Sequence, residues 1–154
     1  MDFSDILKPE AVKVITSASS KKRLMQGIGD LAEQVYGLSS DSVLDALLAR
    51  EALGPTGVGR GIALPHARLD GLESVVGIFV LLDKPVDFDA VDRQPVDIAF
   101  ALFAPEDAGV EHLKALALVS RTLRDASTCS KLRANQNPST LHTILTSAQS
   151  DQAA

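Results

Sequence analysis

Two stretches of the chain are apolar at nearly every position, Val75–Leu82 (VVGIFVLL) and Val96–Phe103 (VDIAFALF). A strand wetted on one face alternates apolar and polar residues, so near-continuous runs predict central strands covered on both faces. Between them, Pro85-Val86-Asp87-Phe88 predicts a shorter strand, with a turn over 89–94. A connection of about a dozen residues containing a strand of its own favours antiparallel pairing of the two long runs.

Elsewhere the apolar period lengthens to that of a helix. Ser20 stands as an N-cap before a helix over 21–37, with Leu24, Ile28, Leu31 and Val35 on one stripe and Gly37 at its end. Ser39-Ser40-Asp41 opens a second helix with Val43, Leu44, Leu47 and Leu48 on its inner face; Gly54-Pro55 stops it, leaving Arg50 near its C-terminal end. A third helix is predicted over 110–124 with Leu113, Leu116, Ala117, Ser120 and Leu123 inside, then a short one over 127–134. Asn137-Pro138, a cap followed by Pro at the first helical position, opens a last helix that buries Leu141, Ile144 and Leu145. The polar tail from Ser147 is expected to fray. At the other end, 3–16 predicts a turn and an edge strand around Val12–Ile15. Helices, then strands, then helices imply an α/β fold, a three-layer sandwich with a mixed β-sheet flanked by helices on both faces, as a single domain over 1–154.

Composition narrows the function classes. The 154 residues carry a formal net charge of −5, which disfavours nonspecific binding to nucleic acid or to an anionic membrane and permits a basic protein partner. Aromatic residues make up only 4%, so Leu, Val, Ile and Ala must build the core around five Phe. Cys129 is the single cysteine, so neither an intramolecular disulfide nor a cysteine metal cluster can form. No basic segment followed by an apolar one opens the chain, and no apolar run is long enough to span a bilayer, so a cytoplasmic location is expected.

Chemistry concentrates around His66. It follows a glycine-rich loop, Gly54-Pro55-Thr56-Gly57-Val58-Gly59-Arg60-Gly61, and the apolar run Ile62-Ala63-Leu64, with Arg68 close behind. A neutral imidazole nitrogen at a rigid strand end is a competent nucleophile near neutral pH. Spacing alone favours an ordinary Pro-His turn. The loop lacks the Gly-Lys-Ser/Thr ending of a Walker A motif, and strand-like residues follow where a dinucleotide fingerprint needs a helix. What remains is a turn, or a loop whose N–H groups and Thr56 hydroxyl face an anion. His112, near the start of the third helix, reads either as a solvent-facing residue or as a second imidazole beside a bound phosphoryl group. Arg50 reads as an exposed helix-end side chain or as a donor fork for phosphate. His142 reads as structural. Asp87, Asp89, Asp92 and Asp97 lack calcium-loop spacing and read as solvated turn carboxylates.

Taken together, Gly57-Val58-Gly59-Arg60-Gly61-Ile62-Ala63-Leu64-Pro65-His66 resembles the active-site segment of the fructose/mannitol-type enzyme IIA family of the bacterial phosphoenolpyruvate-dependent phosphotransferase system. The similarity runs from about Leu7 to Leu145, and the stretches Asp83–Asp92, Gln94–Ile98 and Ala104–Lys114 resemble its nitrogen-regulatory branch. The resemblance implies a phosphotransferase component with a phosphohistidine intermediate. His66 is then the phosphoryl acceptor, through Nε2, with Nδ1 held by a backbone carbonyl. Arg50 and His112 are the catalytic neighbours, and Thr56 and Gly57 lie in the phosphate-binding loop. No metal or other cofactor is expected. Pro55 and Ala67 depart from the residues that relatives often carry there, Ser and Gly.

The implied donor is a phosphohistidine on an HPr-type carrier protein. The implied role is regulation of nitrogen, potassium or carbon metabolism through phosphorylation-dependent binding of targets such as potassium transporters or sensor kinases, with no nucleic acid and no membrane insertion. The alternative is a sugar-specific component passing phosphate to a IIB domain during fructose- or mannitol-type uptake.

Overall fold

The structure, a computed structural model, describes residues 1–153. It begins with a one-turn helix α1 (Phe3–Ile6), a 3₁₀ turn (Pro9–Ala11) and the strand β1 (Val12–Ile15). Helices α2 (Lys21–Tyr36) and α3 (Ser40–Glu51) follow. Then come the strands β2 (Gly57–Gly59), β3 (Ile62–Ala63), β4 (His66–Leu69), β5 (Val76–Val86) and β6 (Val96–Pro105). Helices α4 (Val110–Leu123), α5 (Ala126–Arg133) and α6 (Pro138–Ala153) complete the chain.

The predicted caps are in place. The Ser20 hydroxyl accepts the Arg23 N–H at the start of α2, and Gly37 closes it in the left-handed region at φ 72°. Ser39 accepts from Ser42 N ahead of α3. Asn137 accepts from the N–H groups of Ser139 and Thr140, setting α6 on its first turn.

The sheet is mixed, in the order β1-β5-β6-β3-β2, with β4 also on β6. The two long apolar runs, β5 and β6, pair antiparallel at its centre, and β1 lies parallel to β5 on one edge. Continuous apolar sequence is explained by what covers it: α2 and α3 pack on one another and reach β5 and β4, while α4, α5 and α6 pack together and reach β6 and β1. Phe100 anchors the interior, meeting Phe3 and Phe79 edge to face at centroid distances of 5.7 and 6.3 Å. Among the described residues no helix is long and apolar enough to cross a membrane.

Five local expectations are corrected. The segment Pro85–Val86 extends β5 rather than forming a separate strand, because Val86 pairs with Val96 across an irregularity in the ladder. The glycine-rich loop is a tight hairpin, β2–β3, whose Arg60-Gly61 tip has φ of 60° and 80°. In α3 only Val43 and Leu47 are fully buried, Leu44 and Leu48 being half-covered. In α4 the inner stripe is His112, Ala115, Leu118, Val119 and Thr122, with Leu123; Leu113 is 66% exposed and Ala117 faces outward. The same spacing fits both stripes, and the helix turned His112 rather than Leu113 toward the sheet. Finally, α6 continues through residues 147–153, where fraying was expected.

Candidate functional site

The site arises where a strand is interrupted. β3 pairs parallel with Ile98–Ala99 of β6 and β4 pairs parallel with Leu102–Pro105, so the two are successive pieces laid along one edge of β6. Leu64-Pro65 forms the gap. Proline has no N–H to give, yet its carbonyl still accepts from Leu102 N at 3.0 Å, so the chain stays on the sheet through the interruption. His66 therefore opens β4 rather than ending the preceding apolar run, and it is fixed by backbone pairing on a covered strand.

The His66 ring is half-buried and held at both nitrogens. Nδ1 lies 2.9 Å from the Leu64 carbonyl oxygen. A carbonyl only accepts, so Nδ1 carries the hydrogen and Nε2 is left with its lone pair. Arg50 Nε donates to that same Nε2 at 3.3 Å. The guanidinium is steadied by a second bond, from Nη1 to Gly54 O at 3.0 Å. Thus α3 delivers Arg50 from one side and the strand gap delivers His66 from the other.

His112, on the first turn of α4, stands edge-on to His66 with ring centroids 5.7 Å apart. It is only 6% exposed, and its Nε2 is buried with no hydrogen-bond partner among the described residues. Burial, and then the positive surroundings of His66 and Arg68, hold its pKa below the ordinary 6.5, so it is neutral near pH 7. A buried ring nitrogen without a protein partner costs free energy unless water or a ligand supplies the missing bond.

Thr56 stands in the loop that leads to the hairpin, and Gly57 opens its first strand. Thr56 is buried, and both its N–H and its hydroxyl donate to the Glu51 carboxylate, at 2.9 and 2.5 Å. Gly57 packs where a Cβ would meet the Cβ of Ala90 at 2.8 Å. Pro55 is exposed and Ala67 is buried in β4.

Of the residues singled out in the sequence, the fold gathers His66, Arg50 and His112 at one point, whereas Thr56, expected to turn its hydroxyl and N–H toward phosphate, gives both to Glu51. The fold leaves His142 apart, bonded through Nε2 to Leu7 O at 3.0 Å, in keeping with a structural part. Asp87 and Asp92 cap turns, accepting from Asp89 N and from Arg60 N and Gln94 N. Asp97 is not a free turn carboxylate: it sits in β6 and takes a two-pronged bond from Arg133. Among the described residues no group of His, Cys, Asp and Glu side chains is arranged to hold a metal ion. Glu51, which no sequence signal marked, joins Lys21 to Thr56. It carries no motif, and its neighbours Lys21 and Thr56 stand at spacings that signal nothing.

Residues 5–148 match the sequence profile described as phosphoenolpyruvate-dependent sugar phosphotransferase system, EIIA 2. The chain is 43% identical over 145 residues to a nitrogen regulatory protein of Bradyrhizobium diazoefficiens, covering 94% of this chain and 95% of that one. A nitrogen regulatory protein of Escherichia coli is 41% identical over 151 residues, covering 97% and 92%. Among solved structures, the nitrogen regulatory protein IIA-Ntr of Neisseria meningitidis superposes with a TM-score of 0.86 at 37% identity, covering 92% of this chain and 97% of that one.

Proposed function

This chain belongs to the phosphotransferase-system EIIA 2 family, and on that premise we propose that it carries a phosphoryl group on Nε2 of His66 and signals by the change of state. The observation that supports this most directly is the pair of contacts on one ring. Leu64 O keeps the hydrogen on Nδ1, and Arg50 meets the free lone pair on Nε2. A nucleophile needs that lone pair, and the phosphoryl oxygens need donors beside it.

In the proposed step the Nε2 lone pair attacks the phosphorus of a phosphohistidine on an HPr-type carrier. The donor's N–P bond breaks and its electron pair returns to the donor imidazole. One N–P bond forms as one breaks, so the exchange is close to thermoneutral and reversible. Arg50 swings its N–H groups from the bare nitrogen onto the phosphoryl oxygens, and the partnerless Nε2 of His112 gains an oxygen to bond. Positioning and charge compensation then supply the rate.

Phosphorylation adds negative charge to the surface of a chain already at −5. That change lets a target protein distinguish the two forms. The nitrogen regulatory names of the relatives support a regulatory role. Its targets are proposed to be proteins such as potassium transporters or sensor kinases.

The test uses radiolabelled phosphorylated carrier. The wild-type chain should acquire acid-labile, alkali-stable label at one equivalent, and His66→Ala should acquire none. Full labelling of His66→Ala would rule the assignment out. Formation of sugar phosphate from the labelled chain plus cell extract and sugars would replace regulation with transport.

A further inference from the structure

We infer that Glu51 is a positioning residue that sets the tautomer of His66 by withholding one backbone N–H from the sheet. In the β2–β3 hairpin, Leu64 N donates to Thr56 O at 2.9 Å, which is one half of an antiparallel hydrogen-bonded pair. In a regular pair the two residues exchange both bonds, so Thr56 N should return one to Leu64 O. It does not. Thr56 N donates instead to Glu51 Oε1 at 2.9 Å, and Leu64 O accepts from His66 Nδ1 at 2.9 Å.

The carboxylate is built to hold that diversion. Its side chain is only 7% exposed, with Lys21 Nζ 2.7 Å from Oε1 and the Thr56 hydroxyl on Oε2 at 2.5 Å. Lys21 is itself pinned, lying over the Phe88 ring at 4.7 Å. The residue's own backbone closes the adjoining turn, Glu51 O accepting from Gly54 N at 3.1 Å, and Gly54 O in turn receives Arg50 Nη1 at 3.0 Å. One residue at the end of α3 therefore supports both contacts on the His66 ring: the arginine at Nε2 through its main chain, and the acceptor at Nδ1 through its side chain.

A carbonyl oxygen has two lone pairs, so the ladder bond would not exclude the imidazole outright. It would draw Leu64 C=O toward the sheet and weaken the bias that keeps the hydrogen on Nδ1. The Nε2–H tautomer, in which the proposed nucleophile has no lone pair, would then gain population. This consequence for catalysis rests on the phosphocarrier reading; the tautomer itself does not.

The experiment is ¹⁵N NMR of the His66 ring at pH 8 in the unphosphorylated protein, without any donor. Wild type should show Nδ1–H almost alone. In Glu51→Leu the ratio of Nε2–H to Nδ1–H should rise about fivefold, the factor one net hydrogen bond carries, and phosphoryl uptake from the carrier should fall only in proportion to the Nδ1–H fraction lost. Glu51→Gln keeps an acceptor for Thr56 N and should restore the wild-type tautomer. If Glu51→Leu lacks a dispersed spectrum, Glu51→Asp, whose shorter arm cannot reach Thr56 N, should shift the tautomer the same way. An unchanged His66 spectrum in a folded Glu51→Leu or Glu51→Asp protein overturns the inference. Absence of phosphoryl uptake by wild type overturns the functional reading and leaves the tautomer result standing.

Discussion

Arg50 Nε and His66 Nε2 meet at 3.3 Å, although one side chain leaves the last turn of a helix and the other opens a strand. A cation facing the bare nitrogen of a nucleophile waits in place for the oxygens of an incoming anion. The contact is thus suited to both the resting and the loaded ring.

Replacing that arginine should separate chemistry from stability. Arg50→Ala is expected to slow the initial rate of phosphoryl uptake by about 10²-fold, the usual cost of one preorganised donor. Its side chain makes two hydrogen bonds and no ion pair among the described residues, so the unfolding free energy from urea titration should fall by about 1–3 kcal/mol and leave the protein folded. An unchanged uptake rate would remove Arg50 from the site.

His112 should leave a signature in acid. Its pKa is lowered in the folded chain, first by burial and then by His66 and Arg68. Between that lowered value and 6.5, the unfolded chain binds a proton that the folded one does not, so stability rises with pH across this window. Urea unfolding followed from pH 8 down to 5 should show the loss beginning near 6.5, and His112→Gln should flatten that part of the curve. A variant curve parallel to wild type would contradict the assignment.

Gly77 offers a packing test remote from the site. A Cβ there would fall 2.6 Å from Phe100 Cε1 and 3.3 Å from Ile6 O. Phe100 is wedged between Phe3 and Phe79 and has little room to move. Gly77→Ala should cost about 1–3 kcal/mol of stability by thermal or urea unfolding.

The hairpin tip predicts a gain. Arg60 sits at φ 60°, which costs an ordinary residue about 1–2 kcal/mol and Asn considerably less. Its backbone is secured by Asp92 on its N–H and by Arg133 on its carbonyl, whichever side chain it carries. Among the described residues its own guanidinium hydrogen-bonds to Arg124 O, at 3.4 Å. Arg60→Asn should therefore raise stability by up to about 1 kcal/mol in chemical denaturation, and a clear loss would show that the long side chain matters more than the strain.

Local sequence determined the elements whose cause is local. The caps at Ser20, Ser39 and Asn137, the left-handed Gly37 and the unbroken apolar runs of β5 and β6 act within a few residues of themselves, so they could be read in order along the chain. His66 was visible too, through the glycine-to-proline motif before it. Tertiary structure decided the rest. Which stripe of α4 faces the sheet depended on packing that two overlapping spacings could not distinguish, and it turned His112 inward. The division into β3 and β4 follows from their shared neighbour β6, which is distant in sequence. Glu51 could be noticed only once Lys21 of α2 and both donors of Thr56 converged on its buried carboxylate, because hydrogen bonds act between neighbours in space and leave no period in the sequence.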